Sequence, residues 1–166
     1  MPGREDYILS FIALLRQALA QLVNLRVAGR YEEALQVASG AQEKLFGRRR
    51  NELAQLDLAE LLRLLRLDET APAADEKVLA YATLLRETGQ IYAAMDRRDS
   101  AQGCFQLALQ VRLTVAVAAG QPSDDLLTSL RDLLARIPPE QLHAPVRDLL
   151  EQVSQKRCNG ESVGGP

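Results

Sequence analysis

Thr83, Arg86, Gln90 and Arg97 follow one another at intervals of three, four and seven residues. On a helix these intervals align a hydroxyl, an amide and two guanidiniums on one face. Such groups recognise peptides. Arg86 and Gln90 suit a carboxylate or a peptide backbone, and the four residues form a candidate partner-binding stripe.

Other reactive side chains do not converge on a substrate. His143 is the only histidine, in "EQLHAPV", and no second histidine or cysteine pair accompanies it as a metal site would need. Glu32/Glu33 and Asp124/Asp125 are adjacent pairs at helix starts. Neighbouring helical residues point apart, so these pairs suit capping and the helix dipole rather than acid–base catalysis. The chain has no Gly-rich phosphate loop, nucleophile elbow or HExxH. No catalytic residue, cofactor or metal is expected, and the chain is not read as an enzyme. "GRRR" (Gly47 to Arg50) is the one basic cluster; it follows a helix end, where cations suit the dipole. Without interleaved aromatics it makes no nucleic-acid surface, and the net charge of −2 also disfavours nucleic acid.

These side chains must be positioned by helices. The composition is rich in Leu and Ala, lacks Trp and is 47% hydrophobic, which points to an all-α fold with a real core in one domain. Ile8, Phe11, Ile12, Leu15, Leu19, Leu22, Val23 and Arg26 keep helical spacing in a first helix that starts near Arg4 to Asp6 and stops at Gly29. A second helix begins at Tyr31 and ends at Gly47. A third covers 51–67, with leucines on more than one face, so it is either sandwiched between layers or used in self-association. "DETAPAAD" (Asp68 to Asp75) reads as a loop between subdomains. Helices over about 75–94 and 99–119 follow. Ser123 is the N-cap of a sixth helix that ends at Pro138 and Pro139. A seventh, restarted at Pro145, reaches about Gln155. The two C-terminal helices (123–155) should cap the apolar "LTVAVAAG" (Leu113 to Gly120), and 156–166 should be a disordered tail.

No stretch resembles a secretory signal or a membrane span. Cys104 reads as a helix filler and Cys158 lies in the polar tail. Two thiols so placed suggest a reducing compartment, so the cytoplasm is the expected location and no membrane partner is expected.

Two segments repeat. Ala34, Ala38 and Ala41 align with Ala101, Phe105 and Ala108 at an offset of 67. That is close to two units of the ~34-residue tetratricopeptide repeat. Leu85, Thr88-Gly89, Tyr92, Ala101 and Phe105 follow the signature of that repeat at its local spacings. The chain therefore resembles tetratricopeptide-repeat proteins over two hairpins, about 8–47 and 77–119, with an irregular superhelix because 51–67 replaces the middle unit. It also resembles a small uncharacterised bacterial family of tetratricopeptide-like proteins, through "EDYILSFI", "GRYEEAL" and "LLRETGQIYAAMDRRDSAQGCFQLAL". That resemblance implies a fold and no activity.

The full expectation is an all-α fold of about seven helices: antiparallel tetratricopeptide-type hairpins and a C-terminal helical cap. Chaperone-binding members of the repeat class clamp a terminal carboxylate on the first helix of each hairpin. Here Leu19 and Val23 occupy two of the places required, which rejects such a clamp. The expected role is a non-enzymatic protein-interaction module, with a protein or peptide partner. A homodimer through the leucine-rich helix or the first-helix stripe is a further expectation. The alternative is a structural subunit of a larger assembly without a free peptide groove.

Overall fold

The structure, a computed structural model, describes residues 3–67 and 69–161, with 4–8 and 161 described by backbone alone. The described residues form eight α-helices and no strand. These are α1 (Arg4–Val27), α2 (Tyr31–Phe46), α3 (Arg50–Leu53), α4 (Leu58–Arg66), α5 (Ala71–Ala94), α6 (Arg98–Ala118), α7 (Asp124–Ala135) and α8 (Ala144–Glu161). A 3-10 turn, Pro139–Gln141, joins the last two.

α5 is the central helix. It packs along α6 on one side and meets α1, α2 and α4 on the other. α7 and α8 lie against α6 and cap it, with Val146 and Leu113 fully buried and Val115 and Ala116 almost fully. Phe105 fixes the α5–α6 approach. A Cβ built on Gly89 would lie 2.6 Å from Phe105 Cε1 and 3.1 Å from Cys104 Cβ, so only glycine lets the two helices come this close.

The two hairpin turns are alike bond for bond. The Gly29 amide donates to Arg26 O and the Arg30 amide to Leu25 O; the Asp96 amide donates to Ala93 O and the Arg97 amide to Tyr92 O. Each equivalent pair is 67 residues apart, as in the sequence comparison. The turn residue is left-handed in both, with φ 74° at Gly29 and 56° at Asp96. Aspartate tolerates that conformation better than most residues, because its short polar side chain bonds locally.

Several boundaries differ from expectation, each for a local reason. The leucine-rich helix expected over 51–67 is two helices. Asp57 restarts the chain by accepting from the Glu60 amide at 2.8 Å, while Glu60 accepts from the Asp57 amide, a reciprocal cap that outcompetes helix continuity. The break aims Leu53, Leu61 and Leu65 inward. These three leucines serve the core of this chain, while Leu67 stays 55% exposed. The helix expected from 75 begins at Ala71, because Pro72 in the first turn forfeits no intrahelical bond. Asp68, part of the expected loop, lies outside the described residues. Residues 156–161, expected to be disordered, continue α8, and Lys156 Nζ donates to Val117 O. The rest of that tail, 162–166, lies outside the described residues, as do the side chains of Ile8 and of the acidic start of α1. Ser123 caps α7 as expected, accepting from the Leu126 amide.

Candidate interaction surfaces

Thr83, Arg86 and Gln90 share one face of α5, but two of them are already engaged within the chain. Thr83 Oγ1 donates to Leu79 O and accepts from Arg112 Nη2 at 2.9 Å. Arg86 Nη2 donates to Glu87 Oε1 at 2.9 Å, and its Nη1 lies 3.5 Å from Asp132 Oδ2 on α7. Gln90 is half-buried, and its amide has no partner among the described residues.

Arg97 does not continue the stripe. α5 ends at Ala94, and the left-handed Asp96 turns the chain before Arg97 is reached. Its guanidinium instead covers the Tyr92 ring at 4.9 Å. There it lines a polar groove between α2 and α5 that also holds Gln36, Ser39 and Arg50. The four expected residues therefore divide between two surfaces.

The surface around Arg86 contains residues that the sequence did not single out. Glu87, 6% exposed, is flanked by Arg86 and by Arg26 Nη2 at 3.9 Å. Asp132 joins Arg86 to Arg136, whose Nε is 3.5 Å away. Arg112 is 7% exposed. Burial first, and then the nearby positive Arg86, hold its guanidinium below the usual arginine range, with Asp132 acting in the opposite direction. The signal for Arg112 was present as a lone charge in the apolar run "LQVRLTVAVA".

Gln106 is the other missed residue. It is 4% exposed and ties α6 to the C-terminal segment, donating to Gln141 O at 2.7 Å and accepting from the His143 amide at 3.2 Å. One turn earlier, Gln102 donates to Arg136 O. These bonds hold α7 and α8 on α6. His143 itself is exposed.

An apolar cleft opens between α1 and α2, at the opposite end of the helix order. It has a volume of about 460 Å³. It is lined by Phe11, Leu14, Leu15 and Val37 and by the small residues Ala18, Gly40 and Ala41. Leu14 is 57% exposed and Leu9, nearer the start of α1, 65%. No Cβ contact limits Gly40, so the space above it is open. Leu19 and Val23, on the expected first-helix stripe, are half-buried.

Cys104 is half-buried, and burial pushes its thiol from an ordinary 9.0 up to about 11. The folded state thus favours the protonated thiol. Its contribution to stability is complete below the unfolded value and is lost as pH rises through about 9 to 11. Urea midpoints should fall across that window. At neutral pH a thiol reagent should label the exposed Cys158 quickly and Cys104 slowly.

Among the described residues no cluster of three or more histidine, cysteine or acidic side chains is placed to hold a metal, and no helix is long and apolar enough to cross a membrane. Comparison of the chain with protein-family models, with curated proteins and with solved structures finds no match.

Proposed function

We propose that this chain is a non-enzymatic interaction module that receives an amphipathic helix of another protein in the α1/α2 cleft. The observation that carries this reading is the cleft itself. A concave apolar surface with leucines more than half exposed on the same helix is what a partner helix covers. Its lining on α1 runs from Ser10 to Gln21, about 16 Å at the usual helical rise, which matches three turns of a docked helix. The small lining residues Ala18, Gly40 and Ala41 permit a close approach. Lys44 on the rim favours an acidic residue beside the partner's apolar face.

The hairpins are proposed to be of tetratricopeptide type. The matched turns and the contact between Gly89 and Phe105 support this. A second reading, a structural subunit without a free peptide groove, draws support from the internal engagement of Thr83 and Arg86.

Gly40→Leu tests the first reading. Leucine replaces glycine inside a helix and projects into open space, so the variant should be more stable by ~0.5–1 kcal/mol while its cleft is filled. Partners retained by the wild-type chain from native lysate should be lost by Gly40→Leu and kept by Gln90→Ala. Retention by Gly40→Leu would reject the cleft. Light scattering on a dilution series identifies the competing occupant: a dimer abolished by Gly40→Leu would make it a second copy.

A further inference from the structure

The charges around α5 do not balance. Among the described residues, Arg26, Arg86, Arg112 and Arg136 have only two carboxylates, Glu87 and Asp132, as ion-pair partners, which leaves two positive charges uncompensated within the cluster. The excess is concentrated at the most buried member. Arg112 has no carboxylate within ion-pair distance among the described residues; its one hydrogen bond is to the Thr83 hydroxyl. Its Nε is buried without an acceptor, and so are the Nε atoms of Arg26 and Arg86.

A buried guanidinium without a counter-charge is costly, and native structures pair such groups or bind an ion to them. These three N–H donors, from α1, α5 and α6, belong to one cluster that also holds a carboxylate oxygen without a donor, Glu87 Oε2, so three free donors face a single free acceptor. Arg26 and Arg86 retain 29% and 31% of their side-chain exposure, so the cluster borders solvent, although the three Nε atoms themselves are covered. Guanidinium groups with free Nε donors offer the forked geometry that matches a phosphoryl group.

We propose that Arg112, Arg86, Arg26 and Thr83 form a binding site for a dianionic phosphoryl group, either free phosphate or a phosphomonoester. The anion takes the three free Nε donors and neutralises the two excess charges. It joins α1 to the α5/α6 hairpin, whereas Asp132 already joins that hairpin to α7. The site is separate from the α1/α2 cleft and does not depend on it.

Thermal unfolding with inorganic phosphate, against chloride at matched ionic strength and about pH 8, where the phosphoryl group is dianionic, tests the site. The midpoint of the wild-type chain should rise more in phosphate. Arg112→Met removes the buried charge and keeps the length of the side chain, so it should fold and lose the phosphate-specific rise. The same variant controls for the general stabilisation that phosphate gives by exclusion from protein surfaces. Arg26→Gln, at a more exposed position, should weaken phosphate binding at least threefold in calorimetric titration. Glu87→Gln, which removes an internal anion, should strengthen it. O-phosphoserine binding more tightly than phosphate would assign a phosphomonoester, and equal binding the free ion. A wild-type response equal in phosphate and chloride, or an undiminished rise in Arg112→Met, would overturn the proposal. Acetate binding as tightly as phosphate would also overturn it.

Discussion

Gly89→Leu should lower the unfolding free energy by about 3 kcal/mol, read as an earlier urea midpoint at an unchanged slope. The loss comes from one contact. A Cβ at this position already meets Phe105 Cε1 at 2.6 Å and Cδ1 at 2.8 Å. These are atoms of a stiff ring that is 4% exposed, held between α5 and α6, so they have nowhere to retreat. The helix itself gains from the change, since leucine outranks glycine as a helix former by somewhat under ~1 kcal/mol. Overpacking must exceed that gain for the sign to hold, and the substitution adds three further carbons beyond the clashing Cβ. Gly103→Ala is the matched control. Gly103 lies on α6 with nothing within 4 Å of its Cβ, so the same kind of change should stabilise by ~0.5–1 kcal/mol. A similar outcome for both substitutions would mean that the hairpin does not depend on close packing at Gly89.

Glu87→Ala should cost about 3 kcal/mol, the lower end for breaking a buried ion pair. Glu87 keeps only 8% of its side-chain surface and neutralises Arg86 directly and Arg26 more loosely. Its loss leaves both guanidiniums facing each other and the buried Arg112. The lower end applies because Arg26 and Arg86 retain nearly a third of their exposure and can recover hydration. Arg112→Met in the same chain should return part of the loss, because it removes one of the like charges. A double-mutant cycle measures that coupling. Strict additivity would show that Glu87 and Arg112 do not share one electrostatic cluster.

The sequence carried the fold wherever one residue type performs one local task. Gly29, Gly47 and Ser123 mark helix ends, and all three do so in the structure. It misled where two signals competed. The leucines of 51–67 keep helical spacing across Asp57, yet the reciprocal cap of Asp57 and Glu60 breaks the helix there. Pro72 reads as a breaker, but in a first turn it costs nothing. The site was half legible for a related reason. Spacing within α5 correctly grouped Thr83 with Arg86. Spacing cannot show that Arg112 and Asp132 arrive from α6 and α7, because those approaches are tertiary. Arg97 failed for want of a helix: periodicity was extended past Ala94 into a turn. The apolar cleft escaped notice because Phe11 and Leu15 read as ordinary positions of the apolar face and Leu14, 57% exposed, lies outside that spacing and was not singled out.

Amide hydrogen exchange on the chain bound to its captured partner tests the central claim most directly. If a partner helix fills the α1/α2 cleft, exchange slows over residues 10–21 and 37–45, and Gly40→Leu removes both the binding and the slowing. Slowed exchange confined to α5 and α7, with α1 and α2 unchanged, would contradict it and place the partner on the arginine face instead.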